Sequence, residues 1–231
     1  MKILNKTIKY LLIAIVVIAA LNIPLTTRYG VDGVQYVKKI PLYAKTCGFL
    51  YRDWAYRDIA EGIVKGKKDE TKKTLAVLNW VSLNIELGVP KGLKLMDDHP
   101  LNIIIRQYGG GDQMEDVFTI LCAYSGMRAG MARCYEPGTD NYMILSFAEA
   151  NGRWLVFDAK HNRHFVNADK DVASIDDILN NKIILSEEDV KAYSRFFAGL
   201  KDVDTSSFTR AEEQMLFQRI PAEIKKRLNK K

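Results

Sequence analysis

Three sets of residues in this chain have types and spacings that could carry chemistry. The first is Gly109-Gly110-Gly111-Asp112-Gln113-Met114-Glu115-Asp116, a glycine run that opens an amphipathic helix. Glycines let the backbone turn sharply onto a helix start, and the positive end of the helix dipole there lowers the pKa of a thiol. The residue at that start is Gly111, which has no side chain. Gln113 follows it and could either line a cleft or lie in an exposed first turn. A helix start can also cradle phosphate, but Asp112 and Glu115 already place negative charge there and no Lys-Ser/Thr pair follows. The second set is Asp158, His161 and His164. A carboxylate that orients an imidazole makes a general base, and three such groups on one helical face could hold a divalent metal. Asp158 closes a strand and a turn follows it, so histidines on a rim are the plainer reading. No metal or cofactor is assigned. The third set is Cys47, Cys122 and Cys134, which show no metal-type spacing. Cys122 falls mid-helix beside an apolar stripe, where a thiol behaves as a small hydrophobe. Cys134 lies in a strand with no His near it in sequence. An odd count leaves one thiol unpaired, and Cys47–Cys134 is the disulfide left open if the domain is exported.

The elements that must position these groups follow from periodicity. Residues 52–64 make one plausible helix, and Lys65-Gly66-Lys67-Lys68-Asp69 is a loop. Residues 71–87 read as a helix with Leu75, Leu78, Val81, Ser82 and Ile85 on one face and Gly88 as its C-cap. A short helix over 101–106 delivers the chain to the glycines. The next helix, 112–125, ends at Gly126 and is apolar enough to be central, with Val117, Phe118, Ile120, Leu121 and Tyr124 as its buried stripe. Three strands follow, over 129–135, 141–148 and 153–158. The last two join through Asn151-Gly152, a strong hairpin signal. Beyond residue 167 the chain turns helical again. Ser186-Glu187-Glu188-Asp189 and Thr209-Arg210-Ala211-Glu212 are capping boxes, and Pro221 suits the first turn of a last helix. The order is helices, a central helix, an antiparallel sheet, then helices, which makes an α+β domain.

This order, with its local residues, resembles the bacterial transglutaminase-like family, which has a papain-type cysteine protease fold. The resemblance runs over about residues 71–165. Its carriers are Leu78-Asn79-Trp80-Val81 with Ile85, the glycine entry, Leu121 through Ala129, and Gly152-Arg153-Trp154-Leu155-Val156-Phe157-Asp158. The resemblance implies a Cys at the start of the central helix, a His on the first strand of the facing hairpin, and an Asp on the second that orients the His. Counted along this chain, the Cys place falls on Gly111, the His place on Asn141 and the Asp place on Asp158. The resemblance therefore implies no catalytic residue, and Gly111, Asn141 and Asp158 are vestigial triad positions. Gln113, Trp154, His161 and His164 remain as cleft candidates, with Trp154 read first as a core or cleft-wall residue.

Composition bounds the rest. The 231 residues, 48% hydrophobic, leave room for one domain and a terminal extension. The net charge of +6 is mild, and no basic-aromatic interleaving marks a nucleic-acid surface. The tail Lys225-Lys226-Arg227-Leu228-Asn229-Lys230-Lys231 reads as a solvated end. Lys2, Lys6 and Lys9 precede an uncharged, mostly aliphatic run over 10–25, which predicts a transmembrane anchor or a cleaved secretory signal. Charges on both flanks vote only weakly on orientation; the short amino end favours an extracytoplasmic domain. The expected division is 1–27 anchor, 28–70 juxtamembrane helical section, 71–168 transglutaminase-like core, and 169–231 helical extension with a basic tail. Three functions follow as expectations. One is a membrane-anchored pseudoenzyme that binds or scaffolds a protein or peptide in the cell envelope. Another is a hydrolase of amide or glycan-linked substrates working through Asp158, His161 or His164 without a thiol. The last is a structural subunit of an envelope complex.

Overall fold

The structure, a computed structural model, describes residues 2–30, 36–94, 97–208 and, beyond those, Met215, Gln218 and Pro221. The amino end forms helix α1 (Lys2–Leu21) and a hairpin of β1 (Pro24–Tyr29) with β2 (Tyr36–Pro41). Then come α2 (Leu42–Val64), α3 (Glu70–Asn84), the short strand β3 (Glu86–Leu87), α4 (Pro100–Arg106), β4 (Tyr108–Gly109) and α5 (Gly111–Tyr124). The main sheet is built from β5 (Ala129–Tyr135), β6 (Tyr142–Ala150), β7 (Arg153–Asp158) and β8 (Arg163–His164), antiparallel and in sequence order. The pair β9 (Val166–Asn167) and β10 (Ile183–Ile184) flanks α6 (Ile175–Leu179), and α7 (Glu187–Phe197) follows.

Local chemistry explains these boundaries. Asp69 caps α3 by accepting a hydrogen bond from the Lys72 N–H at 2.8 Å. That helix stops at Asn84, because Ile85 is extended and the next two residues pair with β4. Gly88 thus lies beyond a strand and is not the C-cap expected of it. The β6–β7 turn is as the Asn-Gly pair requires, with φ of 52° at Asn151 and 73° at Gly152. Ser186 caps α7 by accepting from the Asp189 N–H. The second capping box (209–212), the basic tail and, past Pro221, the last helix lie outside the described residues.

The sheet has an apolar cluster on each face. On one, Ala148, Leu155 and Phe157 meet α5 and, behind it, α2 and α3. On the other, Leu145, Phe147 and Val156 meet Phe165, Tyr193, Phe196 and Leu200. Helix α5 is therefore central, and every residue from Gln113 to Tyr124 is buried. The carboxyl-terminal layer touches the sheet edge closely at Gly199, where an added Cβ would stand 2.6 Å from the Tyr135 carbonyl oxygen and 2.7 Å from its nitrogen. Backbone cannot yield as a side-chain tip can. Gly199→Ala is expected to destabilise the fold by about 2 kcal/mol or more, read as a lowered urea midpoint.

One expectation is corrected here, and one pairing that was left open is not formed. The apolar run does not continue as one helix over 10–25: α1 ends at Leu21, and Pro24 opens a strand. The uncharged part of α1 covers about 18 Å, well short of a hydrocarbon core of about 30 Å. No helix among the described residues is long and apolar enough to cross a membrane. The Cys47–Cys134 disulfide is also absent. All three cysteines are free, with Cys47 exposed on α2 and Cys134 buried in the sheet.

Candidate functional site

The start of α5, where the resemblance leads one to expect a thiol, is held by a hydrogen-bond network. The Gln113 side chain folds back, its Oε1 accepting from the Gly110 N–H at 3.0 Å and from Arg106 at 2.7 Å. Its Nε2 donates to Asp98 at 2.5 Å. Gln113 is buried and fully committed to this network, so it caps the helix and does not line a cleft. Gly111 adopts no positive φ. What covers it is Lys160: a Cβ at position 111 would lie 2.7 Å from the Lys160 Cδ. The nucleophile position is empty of side chain and roofed by a neighbour's alkyl stem.

One turn further, Glu115 is buried without solvent contact. Its carboxyl accepts from the Lys160 N–H at 3.1 Å and is joined to the Ser146 hydroxyl by a short hydrogen bond. Desolvation, augmented by the nearby Asp158 charge, pushes its pKa up to about 8, against the pull of the hydrogen bonds it receives. Glu115 therefore ties α5 to β6 and to the turn after β7. The sequence reading missed this residue, although its place three residues before Phe118 and seven before Cys122 sets it on the inner face of the helix.

Asp158 lies on the next strand, wholly buried. It accepts from the Tyr193 hydroxyl of α7 at 2.8 Å and from the His161 N–H at 3.2 Å, and its Oδ2 meets His161 Nδ1 at 2.8 Å. The His161 side chain is 47% exposed. Asp158 and His161 are thus brought together as the spacing allowed. His164 is not part of that pair: it is the cross-strand partner of Phe157, whose side chain packs on Phe118 of α5. Desolvation lowers the pKa of its imidazole. Among the described residues no three His, Cys, Asp or Glu side chains gather as metal ligands.

The position assigned to the missing His needs correction. Asn141 is exposed in the loop that closes the β5–β6 hairpin, where its side chain donates to Glu136 at 3.1 Å. The register Ser146↔Phe157 carries Leu145, not Asn141, toward Asp158. Four residues along a strand is about 13 Å, so Asn141 cannot meet Asp158. Ser146 touches Glu115, and two residues back on its face stands Ile144, while four residues back on the Glu115 face of α5 stands Gly111. By strand alternation Ile144 lies on the α5 side of the sheet, one repeat before Ser146. Counting residues ignored the register, but β6 carries no His at any position. Trp154 is half-buried on the other face, with its ring 5.5 Å from Phe208 and the Arg128 guanidinium 5.2 Å above it. It walls the second apolar cluster, not the space over Gly111. Two of the thiols are buried, and burial raises their pKa, Cys134 up to about 12 and Cys122 well above the ordinary thiol range, which disfavours thiolate at either.

Residues 57–159, somewhat under half of the chain, match the family model of the transglutaminase-like superfamily, so this part of the chain is transglutaminase-like. Two solved structures show a partial likeness to the chain. One is a proposed protease from Parabacteroides distasonis ATCC 8503 (12% identity, TM-score 0.39), covering 58% of this chain and 35% of the other. The second is a proposed cysteine protease from Cytophaga hutchinsonii (17% identity, TM-score 0.37), covering 55% of this chain and 45% of the other. The match thus spans less than half of either protein. No curated protein matches the chain.

Proposed function

We propose that this protein is a transglutaminase-like pseudoenzyme, a binding or scaffolding module of the cell envelope held at a membrane by its apolar amino-terminal helix. The observation that carries the reading is the Lys160 stem over Gly111. A lost nucleophile leaves a gap, whereas here the neighbouring turn fills the gap and is anchored by Glu115. The absence of any imidazole on β6 supports it too. The exposed apolar side chains of α1, among them Leu11, Leu12, Val16 and Ile18, support attachment to a membrane. The partner on this reading is an envelope protein or peptide lying across the α5 start.

The test uses the intact chain in native membranes with a photo-crosslinking residue at Asp112, beside the roofed position, and a control at exposed Asn141. A discrete adduct from 112 that is absent from 141 and is lost in Lys160→Glu is the expected result. Equal labelling from both positions, or none from 112, would overturn the reading. One observation favours a second reading, a hydrolase without a thiol: the half-exposed His161 held by buried Asp158 has the geometry of an oriented general base. It predicts hydrolysis that His161→Gln abolishes.

A further inference from the structure

All the net positive charge of the chain resides in its first 52 residues. They hold eight basic side chains and one acidic, a net of +7 against +6 for the whole protein. Basic residues are as frequent there as elsewhere, 8 in 52 against 26 in the other 179, so the excess arises because acidic residues are scarce at the amino end, 1 against 27. The same segment carries the exposed apolar surface. Helix α2 buries Ala55, Tyr56 and Ala60 against the core. On its opposite side Tyr43, Cys47, Leu50 and Trp54, spaced by four, three and four, form one narrow exposed stripe. Tyr51 adds its ring to that of Trp54, 6.3 Å away. This stripe starts where α1 ends: the Leu42 N–H bonds the Ile23 carbonyl at 2.9 Å, and the hairpin closes on the same junction through Pro24↔Pro41. Near the hairpin tip, Tyr29 and Tyr36 stack at 5.4 Å, both exposed. Lys38 and Lys39 are exposed on β2, and the Lys45 ammonium lies on the hairpin at the Thr26 carbonyl.

Extending the membrane attachment proposed above, we infer that α1, the hairpin and the first half of α2 form one docking face for an anionic bilayer surface. A helix too short to cross can lie in the interface with its apolar side chains at the acyl boundary. Tyr and Trp suit the headgroup level because one end of each ring system is apolar and the other polar. Lys6, Lys9, Lys38, Lys39 and Lys45 then meet lipid phosphates, which attract basic residues held near the surface. A protein partner would match the apolar stripe, but it would not explain why the basic residues around that stripe go almost without acidic neighbours.

The experiment is co-sedimentation of the full chain with phosphatidylcholine vesicles, with and without phosphatidylglycerol, at low and raised salt. Partitioning is expected to rise at least about tenfold with the anionic lipid and to fall with salt. Lys38→Glu/Lys39→Glu should cancel about tenfold of that gain or more on anionic vesicles and leave neutral ones unaffected. Lipids brominated in the acyl chain should quench the fluorescence of bound wild type more than that of Trp54→Phe. Equal binding to both vesicles, insensitive to the lysine reversal, would overturn the anionic docking face while α1 attachment stood. Bound protein in which Trp54 is not quenched would assign the α2 stripe to a protein partner and overturn the inference as well. Failure to bind any vesicle would overturn both this face and the proposed attachment.

Discussion

Gly111→Cys is expected to give a folded protein with a reactive thiol and no turnover. Gly111 has an ordinary helical φ, so a Cβ brings no backbone strain, and the obstructing Lys160 Cδ belongs to a flexible chain. The helix start and the Lys160 ammonium both favour thiolate. In a Cys47→Ser background, alkylation of Cys at 111 should outpace Cys122 and Cys134 by about a hundredfold or more, because the latter are buried with raised pKa values. Turnover in the family manner needs a His on β6, and that strand has none. Adding Asn141→His should change nothing, since that residue lies at the far end of the hairpin. Adding Ile144→His with Lys160→Ala should produce a burst of acylation by an activated ester. Turnover from Gly111→Cys with Asn141→His, without Ile144→His, would show that the register argument is wrong.

The largest stability effect is expected at Glu115. An acid whose folded pKa is raised holds its proton in the native state after the unfolded chain has released it. Stability therefore falls as pH climbs from the ordinary value of 4.5 to about 8, then levels off. Each unit in that interval corresponds to at most about 1.4 kcal/mol. Glu115→Gln keeps an acceptor for the Lys160 N–H and an amide for the Ser146 hydroxyl, yet cannot ionise. The variant should be more stable than wild type by about 2 kcal/mol or more near pH 8, with the difference vanishing toward pH 4. Urea midpoints across that range check it. A difference that is flat with pH, or destabilisation at pH 8, would refute the protonated, buried state of Glu115.

The sequence disclosed what depends on short-range pattern. The central helix, the Asn151-Gly152 hairpin and the closing strand with Asp158 follow from periodicity and turn chemistry, and all are present within a residue or two. What escaped it depends on pairing across the fold. The place of the missing imidazole is set by the β6–β7 register, which a count from one motif to the next does not contain. The amino-terminal span was over-extended because an apolar count treats Pro24 and the strand-forming residues after it as mere continuation. Lys160 looked like one solvated lysine among many, because nothing local shows that it lies over Gly111. Tyr193 comes to Asp158 from a helix 35 residues on, and no spacing rule reaches that far. Glu115 did leave a signal, a carboxylate on the apolar face of a helix, where ionised groups are costly.

The central claim is that no cysteine of the native chain acts as a nucleophile. The direct measurement is hydrolysis or transamidation of glutamine-peptide amides and activated esters by the unmodified protein, with and without iodoacetamide. The account predicts no protein-dependent turnover, with alkylation confined to exposed Cys47. Turnover that iodoacetamide abolishes, and that follows modification of Cys47, Cys122 or Cys134, would contradict it.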